Sequence, residues 1–484
     1  MATLSPKKIN RLGILAFVSG FSLMAYELVA ARLLAPTIGS SIYVWTSVIG
    51  VIIAALSLGY WLGGKVADAR GQRIDVVILF LIAAAGVTAT ILSHPNILSW
   101  LPEVIEDVRF QGVVASLLLF APTSFIFGCM SPYLAKLNIK TLERAGESVA
   151  NLSALNSIGG ITGTFITGFL LFSYIGSNET LIIITLSLVA SSWLLVPRKF
   201  FMQRLVLSVV LILLSLLPAP MPPNMIARID TPSAHYDIFK VTYDSQPIYG
   251  LATGPGGIQS AVHANGQTDL VFWYTQYAAQ LIKSMNPDRV LVLGGGAFTL
   301  PGYLAEELPN ATIDVVEIDP ELEKISKQYF HYKSPANVNL IFEDARTFVN
   351  QADSKYDAMF VDVYGDSYVP FSLLTREYGQ RVADLVEPDG TIILNAIIGL
   401  TGKCSALADA IDTTYRPHYK NAYWMTRTGD AVPRANYILA YTNNPTVPLA
   451  MNTLSKRDGA TSYNDNFMPA ERIHFECQQS RRKG

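Results

Sequence analysis

The stretch RVLVLGGG, Arg289–Gly296, decides the fold of the second half of this 484-residue chain. A short apolar run that ends in three glycines is typical of a buried strand that turns sharply into a helix. A helical pattern follows at Leu300–Leu308, and a second apolar strand, Thr312–Val316, leads into Glu317 and Asp319. This order predicts a nucleotide-binding unit, because glycines let the backbone approach a ligand and an acid after the second strand can accept ribose hydroxyls.

The pattern of a strand followed by an acid recurs further along the chain. Predicted strands at Val338–Phe342 and Tyr356–Val361 lead into Asp344 and Asp362, and another strand is predicted at Gly390–Leu394. In an open parallel sheet, ligands bind beyond the carboxyl ends of the strands, so these acids should face one crevice. Taken alone, each acid could be a turn former, because Asp is common where a strand ends.

Flanking segments complete a predicted α/β domain. Three alternating stretches, FKVTYD, IYGLATG and GIQSAV, predict a small β layer before it, and Leu270–Ile282 has a helical period. Asn421–Thr426 and Tyr437–Thr442 should close the sheet as a hairpin, as in adenosylmethionine-dependent transferases. The chain also lacks GxGxxG, which argues against NAD. The predicted fold is a Rossmann-like domain of the adenosylmethionine-dependent methyltransferase type.

The first 220 residues have a different character. Half of the whole chain is hydrophobic and only 15% is charged, and the apolar residues crowd into this first part as long runs. Such runs predict an α-helical multi-pass membrane domain in contact with the lipid bilayer. The seven candidate spans are Leu12–Leu34, Ile42–Leu62, Val76–Ser93, Val113–Leu134, Ala154–Tyr174, Leu181–Leu195 and Leu205–Leu217.

Basic residues indicate the orientation of these spans, because they cluster in alternate loops. The clusters are Lys7, Lys8 and Arg11; Lys65, Arg70 and Arg73; Lys136, Lys140 and Arg144; and Arg198, Lys199 and Arg204. The positive-inside rule then predicts a cytoplasmic amino terminus, and the expected location is the cell (inner) membrane. The seventh segment decides the side of the second domain: a crossing makes it extracytoplasmic, and an interfacial segment makes it cytoplasmic. The Pro-rich exit LPAPMPPN favours a crossing.

Composition also indicates where the domains divide and which kinds of partner are not expected. The predicted divisions are 1–220 for the membrane domain, 224–285 for the small β layer, 286–450 for the Rossmann-like domain and 451–484 for a C-terminal tail. The formal net charge of -2 gives no indication of nucleic-acid binding. The three cysteines and six histidines have no metal-ligand spacing, so no metal site is predicted.

At residues of about 230–445 the chain resembles spermidine synthases, and its layout resembles bacterial membrane proteins that fuse such a domain to N-terminal spans. The matching motifs, in order, are LVLGGGAFTLPGYL, DVVEIDPEL, IFEDARTFV, YDAMFVDVYGD and DSYVPFSLLTREYG. The resemblance implies a polyamine aminopropyltransferase that uses decarboxylated S-adenosylmethionine as co-substrate, with putrescine or a related amine as acceptor. It also implies release of methylthioadenosine, no permanently bound cofactor, and a homo-oligomer, dimer or tetramer, with a tetramerisation-like β layer.

The resemblance implies roles for residues around the crevice. For the donor they are Gly294, Gly295, Gly296 and Asp319 around the nucleotide, Glu317 on the ribose, Asp344 on the adenine amino group, Pro370 in the adenosine pocket and Gln259 near the sulfur. Asp362 is the implied base, because an attacking ammonium must first lose a proton. Tyr274, Tyr364 and Asp366 are expected around the amine.

The chain departs from the family pattern mainly on the amine side. Ala297 stands in GGGAF where an aspartate is usual, Thr275 stands where a histidine follows the tyrosine, and Tyr236 stands where a glutamine contacts adenosine. Two alternatives stay open for this reason. One is a methyltransferase that uses intact S-adenosylmethionine on an amine. The other is a polyamine sensor or transporter with altered catalysis, for which Glu27 within the first span is a candidate group.

Overall fold

The computed structural model describes residues 11–139, 141–195, 200–218, 221–254, 257–363, 370–444, 450–457 and 459–478. The chain divides into two units. One comprises Met1–Pro222 with Asp230–Pro232, and the other comprises Pro223–Ile229 with Ser233–Gly484. The division falls in the Pro-rich segment where the apolar composition ends.

The N-terminal unit is helical. Its helices are α1 (Arg11–Ile38), α2 (Ile42–Ala69), α3 (Arg73–Val104), α4 (Val108–Leu119), α5 (Ala121–Asn138), α6 (Ala145–Ile166), α7 (Phe172–Tyr174), α8 (Ser177–Ser192) and α9 (Phe201–Ser215). A π-helical turn, Thr167–Leu171, joins α6 to α7 without a break. Many apolar side chains of these helices remain exposed, as expected where lipid rather than water surrounds the protein.

Within the described residues, five helices are long and apolar enough to cross a membrane, or six if the α4–α5 pair, bent by 53°, is one span. Each of the seven predicted segments falls on one of these helices, on the bent pair, or on the shorter α9. Several helices run beyond the predicted spans; α3, for example, includes Pro95 and Pro102. The number of crossings stays a prediction.

The small-residue series GGITGTFITG brings α6 against α1. A Cβ atom at Gly159 would overlap the carbonyl oxygen of Phe17, and one at Gly163 would overlap that of Phe21. Only glycine permits such close contact between helix backbones. The series therefore serves helix packing at these two positions.

In the described part of the C-terminal unit, a four-stranded sheet comes first, in the order β1-β2-β3-β4. Its strands are β1 (Met225–Asp230), β2 (His235–Tyr243), β3 (Gln246–Ala252) and β4 (Ser260–His263). The pairs β2–β3 and β3–β4 are antiparallel. Helix α10 (Trp273–Met285) follows this sheet. The small β layer and the helix occupy the segments that the sequence predicts, with β1 as an additional strand.

A larger sheet forms the rest of the unit, with eight strands among the described residues in the order β12-β10-β11-β9-β8-β5-β6-β7. The strands are β5 (Arg289–Leu293), β6 (Thr312–Glu317), β7 (Val338–Phe342), β8 (Tyr356–Val361), β9 (Val386–Ile398), β10 (Asn421–Met425), β11 (Ala435–Thr442) and β12 (Asn452–Thr453). Strands β5 to β9 are parallel neighbours, whereas β11 pairs antiparallel with both β9 and β10. The helices that connect them are α11 (Thr299–Glu307), α12 (Glu321–Tyr329), α13 (Ala345–Gln351), α14 (Arg376–Asp384) and α15 (Ser405–Tyr415).

This strand order places a topological switch point beside β5. The chain moves outward from β5 through β6 and β7, and then returns to β8 on the other side of β5. The connections on the two sides of β5 therefore leave in opposite directions, which opens a crevice at the carboxyl ends of β5 and β8. The segments that follow these two strands are the glycine turn and Asp362.

Residues after 450 differ from the predicted tail. Strand β12 pairs with β10, and Leu454 and Met468 are buried in the core around the larger sheet. Helix α16 (Ala470–Gln478) is joined to the rest of the unit by a disulfide between Cys404 and Cys477. The buried residues of α16, Ala470, Ile473, His474 and Cys477, have helical spacing, a signal that the prediction of a tail missed.

Candidate active site

The glycine turn after β5 lies directly against the backbone that follows β8. Gly294 has a φ angle of +92°, and a Cβ atom there would overlap the backbone carbonyl oxygen of Asp362. The backbone N–H of Asp362 in turn donates to the carbonyl oxygen of Leu293 at 2.9 Å. A side chain at Gly294 would be strained and would push β8 away, so glycine is required at the switch point.

Glu317, the last residue of β6, holds this turn in place. Its Oε2 accepts hydrogen bonds from the backbone N–H groups of Gly295 at 2.9 Å and Gly296 at 3.1 Å, and its Oε1 accepts one from Asp319 at 3.2 Å. Burial raises the pKa of Glu317, and these backbone donors act in the opposite direction. The carboxylate is therefore fixed at the mouth of the turn, where the sequence predicts a ribose.

Asp319 is fully buried and already bonded within the protein. Its Oδ2 accepts a hydrogen bond from the Tyr236 hydroxyl at 2.9 Å, and its Oδ1 accepts one from the backbone N–H of Glu321 at 3.0 Å. These bonds join β6 to β2 of the small sheet and begin α12. Asp319 therefore holds the chain after β6 in place, and the nucleotide contact that the sequence predicts for it stays a prediction.

Asp344 and Pro370 follow β7 and β8, two strands that have β5 and β6 between them in the sheet. Asp344 follows β7 and caps α13, since its Oδ1 accepts from the backbone N–H of Thr347 at 3.0 Å. Its side chain remains exposed to solvent. Pro370 precedes a short 3₁₀ turn, Phe371–Leu373. Both remain candidates for the adenine end of a nucleotide, but no contact among the described residues tests that assignment.

Residues at the start of β4 connect the small sheet to Tyr274 and to the glycine turn. The Tyr274 hydroxyl donates to the backbone carbonyl oxygen of Gln259 at 3.0 Å, and the Gln259 side chain accepts from the hydroxyl of Thr253 at 2.6 Å. Next to it, the Ser260 hydroxyl accepts from the backbone N–H of Ala297 at 3.2 Å. Gln259 and Tyr274 are therefore adjacent, and Ser260 ties them to the glycine turn.

Asp362 directly follows β8, and its carboxyl group is a weaker acid than that of an ordinary aspartate. Its Oδ1 accepts a hydrogen bond from the side-chain amide of Asn395 at 2.8 Å. Burial raises the pKa of Asp362 to about 6, although the bond from Asn395 acts to lower it. Burial also raises the pKa of Tyr274, and the negative charge of Asp362 contributes to that rise. Asp362 and Tyr274 thus interact electrostatically, and their joint role around an amine stays a prediction.

Asn395 is a candidate site residue that sequence reasoning missed. It lies near the end of β9, only 6% of it is exposed, and its Oδ1 is buried without a hydrogen-bond partner among the described residues. The sequence pattern ended the strand at Leu394, one residue earlier. A polar residue within the buried run TIILNAII was the available signal, because buried amides need partners.

The residues that depart from the family pattern offer no charge to an amine. Ala297 is completely buried, and the hydroxyl of Thr275 donates to the carbonyl oxygen of Phe272 at 2.8 Å within the start of α10. Tyr364 and Asp366, which the sequence predicts around the amine, lie outside the described residues. Within the part of the chain that the structure describes, no group of three or more His, Cys, Asp or Glu side chains could hold a metal ion.

Comparison with known proteins identifies part of the chain. Residues 274–414 match the spermine/spermidine synthase domain family. A polyamine aminopropyltransferase of Vibrio vulnificus (strain CMCP6) is 32% identical over 148 residues, which are 30% of this chain and 48% of that protein. A probable polyamine aminopropyl transferase of Bifidobacterium longum (strain NCC 2705) is 28% identical over 162 residues, 33% of this chain and 36% of that protein. The chain thus spans less than half the length of each of these relatives.

A solved structure gives a weaker likeness. The crystal structure of a probable spermidine synthase from Corynebacterium glutamicum ATCC 13032 aligns with 52% of this chain and 99% of that one. The sequence identity is 16% and the TM-score is 0.42, values at which the likeness carries no argument about function.

Proposed function

We propose that the C-terminal unit, which carries a spermine/spermidine synthase domain at residues 274–414, is a polyamine aminopropyltransferase. Its donor is decarboxylated S-adenosylmethionine, its acceptor is putrescine or a related amine, and its second product is methylthioadenosine. The observation that carries the proposal is the position of Asp362 at the switch point, against the glycine turn and with a pKa raised to about 6.

The chemistry explains why such a carboxylate is useful. The acceptor nitrogen forms a bond to the aminopropyl carbon, the bond from that carbon to the sulfonium sulfur breaks, and methylthioadenosine leaves. A protonated ammonium has no lone pair for this attack, so a base must take its proton. A carboxyl group with a pKa near 6 is ionised at neutral pH and is still basic enough to accept that proton. We assign this role to Asp362.

The donor half of the site follows from the elements around the switch point. We assign Gly294, Gly295 and Gly296 to the close approach of the nucleotide and Glu317 to the ribose hydroxyls. When a ribose binds, the carboxylate of Glu317 would accept hydrogen bonds from the ribose hydroxyls in addition to those from the turn. Asp344, Pro370 and Gln259 complete the proposed contacts to adenine, adenosine and sulfur.

The acceptor half depends on Tyr274, Asp362 and, in the assignment from sequence, Tyr364 and Asp366. The buried Ala297 and the internally bonded Thr275 remove two polar contacts from this half. The acceptor is therefore proposed only as an amine of the polyamine class.

Activity should fall in acid because Asp362 accepts a proton only when it is ionised. Its pKa of about 6 predicts that kcat/KM for the amine decreases below about pH 6, by about tenfold for each further unit. Above that pH the carboxylate is ionised and this limb becomes flat. Initial rates from about pH 5 to about pH 8 measure the limb. A wild-type profile that stays level through this range contradicts the assignment.

Asn395→Leu should move this acid limb to higher pH. The amide of Asn395 stabilises the ionised form of Asp362, so its loss raises the pKa further, by about half a unit to one unit. Thr391→Val, on the same strand but bonded to Thr442, is the matched control and should leave the limb where it is. If the variant loses activity at every pH equally, the role of Asn395 is structural only.

The N-terminal unit supports a proposed location in the cell membrane. We propose that its helices cross the bilayer several times with the amino terminus cytoplasmic, because basic residues lie in alternate loops. We also propose a homo-oligomer, dimer or tetramer. Sedimentation of the detergent-solubilised protein tests the oligomer, and a monomer at all concentrations contradicts it.

A panel experiment tests the proposed reaction. The purified full-length protein is given decarboxylated or intact S-adenosylmethionine with diamines and triamines, and both nucleoside products are followed. Turnover of the decarboxylated donor with one or more amines supports the proposal. Turnover of the intact donor alone would indicate a methyltransferase, and donor binding without turnover would indicate a sensor or transporter.

A further inference from the structure

The short helix α9 has the surface of a membrane-embedded helix. Its buried side chains, Arg204, Ser208, Leu211 and Ser215, form one stripe. From Leu205 onwards the rest of its surface is apolar and mostly exposed; Val206, for example, is 58% exposed and Leu213 is 60% exposed. A helix that lies along the membrane surface needs a polar face towards water. From Leu205 to Leu217 there is no charged residue and the polar ones are turned inwards, so α9 suits hydrocarbon on its outer side.

The start of α9 makes several contacts with the end of α8. Trp193, just beyond α8, donates its indole N–H to the hydroxyl of Ser208 at 3.2 Å. Arg204 donates to the carbonyl oxygen of Ser192 at 3.3 Å, and its guanidinium lies over the Trp193 ring. The first turns of α9 therefore pack against the end of α8. Helix α9 starts at the same end of the unit at which α8 stops.

In the sequence, one of the basic clusters lies between α8 and the first turn of α9. Arg198, Lys199 and Arg204 belong to the set of alternate loops that the positive-inside rule assigns to the cytoplasm. Helix α9 has 15 residues, and its uncharged stretch Leu205–Leu217 is shorter than the roughly 17 residues usual for a crossing. A crossing by so short a segment is accommodated by local thinning of the bilayer. It would deliver the following chain to the opposite side.

An independent observation in the C-terminal unit points to the same side. Cys404, just before α15, and Cys477, in α16, form a disulfide across 73 residues of sequence, with their Cα atoms 4.2 Å apart. Both side chains are buried. Disulfides persist in oxidising compartments and are rare in the reducing cytosol. The third cysteine, Cys129, is a buried free thiol in the N-terminal unit.

We propose that α9 is a seventh crossing and that the C-terminal unit lies on the oxidising, extracytoplasmic side, where the Cys404–Cys477 disulfide is a permanent covalent link. Two thiols lose two protons and two electrons when it forms, and a protein disulfide of that compartment takes them up and becomes a dithiol. The site would then meet amines from outside the cell, and its nucleoside donor has to reach that side. The inference does not rest on the proposed reaction.

Single cysteines on exposed surfaces test the side directly. Gln267→Cys and Asp353→Cys lie on the C-terminal unit, and Glu143→Cys lies beside a basic cluster; all three native residues are exposed. The full-length protein is expressed in cells with an oxidising extracytoplasmic space. Spheroplasts are then treated with a membrane-impermeant maleimide. We expect Gln267→Cys and Asp353→Cys to react in sealed spheroplasts and Glu143→Cys to react only after permeabilisation.

Mass spectrometry of the wild-type protein provides the second readout. After alkylation in denaturant without reductant, the peptides that contain Cys404 and Cys477 should be found joined, two hydrogens lighter than the sum of the free peptides. Reduction should separate them. The proposal is overturned if both C-terminal positions are protected until permeabilisation, or if Cys404 and Cys477 are recovered as alkylated free thiols.

Discussion

Asp362→Asn should lower kcat for aminopropyl transfer by about 10²–10⁴-fold, the range for the loss of a general base. Asparagine has nearly the same shape as aspartate, and its oxygen can still accept the hydrogen bond from Asn395. The change therefore removes proton acceptance while the contacts around the turn remain. Initial rates at saturating donor and amine measure the loss, and equilibrium binding of methylthioadenosine should stay close to that of the wild type.

Asp353→Asn is the matched control for this substitution. Asp353 is exposed in the segment before β8, so the same chemical change there should leave both rate and binding unaltered. The acid limb near pH 6 should also disappear from the residual activity of Asp362→Asn, since the group that titrates has been removed. An Asp362→Asn protein with wild-type turnover would exclude Asp362 as the base.

Glu317→Gln should weaken donor binding by about tenfold to a hundredfold, because hydrogen bonds to a charged group contribute about 1.5–3 kcal/mol. The loss has two sources. A neutral amide is a poorer partner for ribose hydroxyls, and its NH₂ group would face a backbone N–H that now donates to the carboxylate. Calorimetric titration with methylthioadenosine measures the affinity, and the thermal midpoint reports any loosening of the turn at Gly295 and Gly296.

Glu321→Gln is the control for Glu317→Gln. The carboxylate of Glu321 pairs with the exposed Lys324 on the surface of α12, and such pairs contribute little to stability. Donor affinity and thermal midpoint should match those of the wild type. If Glu317→Gln binds the nucleoside as tightly as this control, Glu317 only holds the turn and the ribose assignment is wrong.

The parts of the site that could be predicted from sequence belong to local patterns. Arg289–Gly296 combines an apolar run with glycines, and Glu317 and Asp362 each follow an apolar run directly. Such signals lie within a few residues, and parallel sheet geometry then brings distant strand ends together. The sequence therefore predicted the α/β fold and the proximity of Asp362 to the glycine turn.

The missed features depend on contacts between distant segments. Asn395 meets Asp362 because β8 and β9 are parallel neighbours, and the two residues directly follow the last paired positions, Val361 and Leu394. The Tyr236 hydroxyl of β2 donates to Asp319, which is 83 residues further along the chain. Ser260 reaches the backbone of Ala297 from another sheet. The periodicity of a single segment gives no sign of contacts between residues that are so distant in sequence.

The measurement that tests the central claim most directly is the product stoichiometry of the purified full-length protein with decarboxylated S-adenosylmethionine and its preferred amine. Methylthioadenosine and the aminopropylated amine are quantified together, in the wild type and in Asp362→Asn. The account predicts that the two products appear in equal amounts and that the variant forms both far more slowly. Methylthioadenosine without an alkylated amine, or no product from any amine while the donor binds, would contradict it.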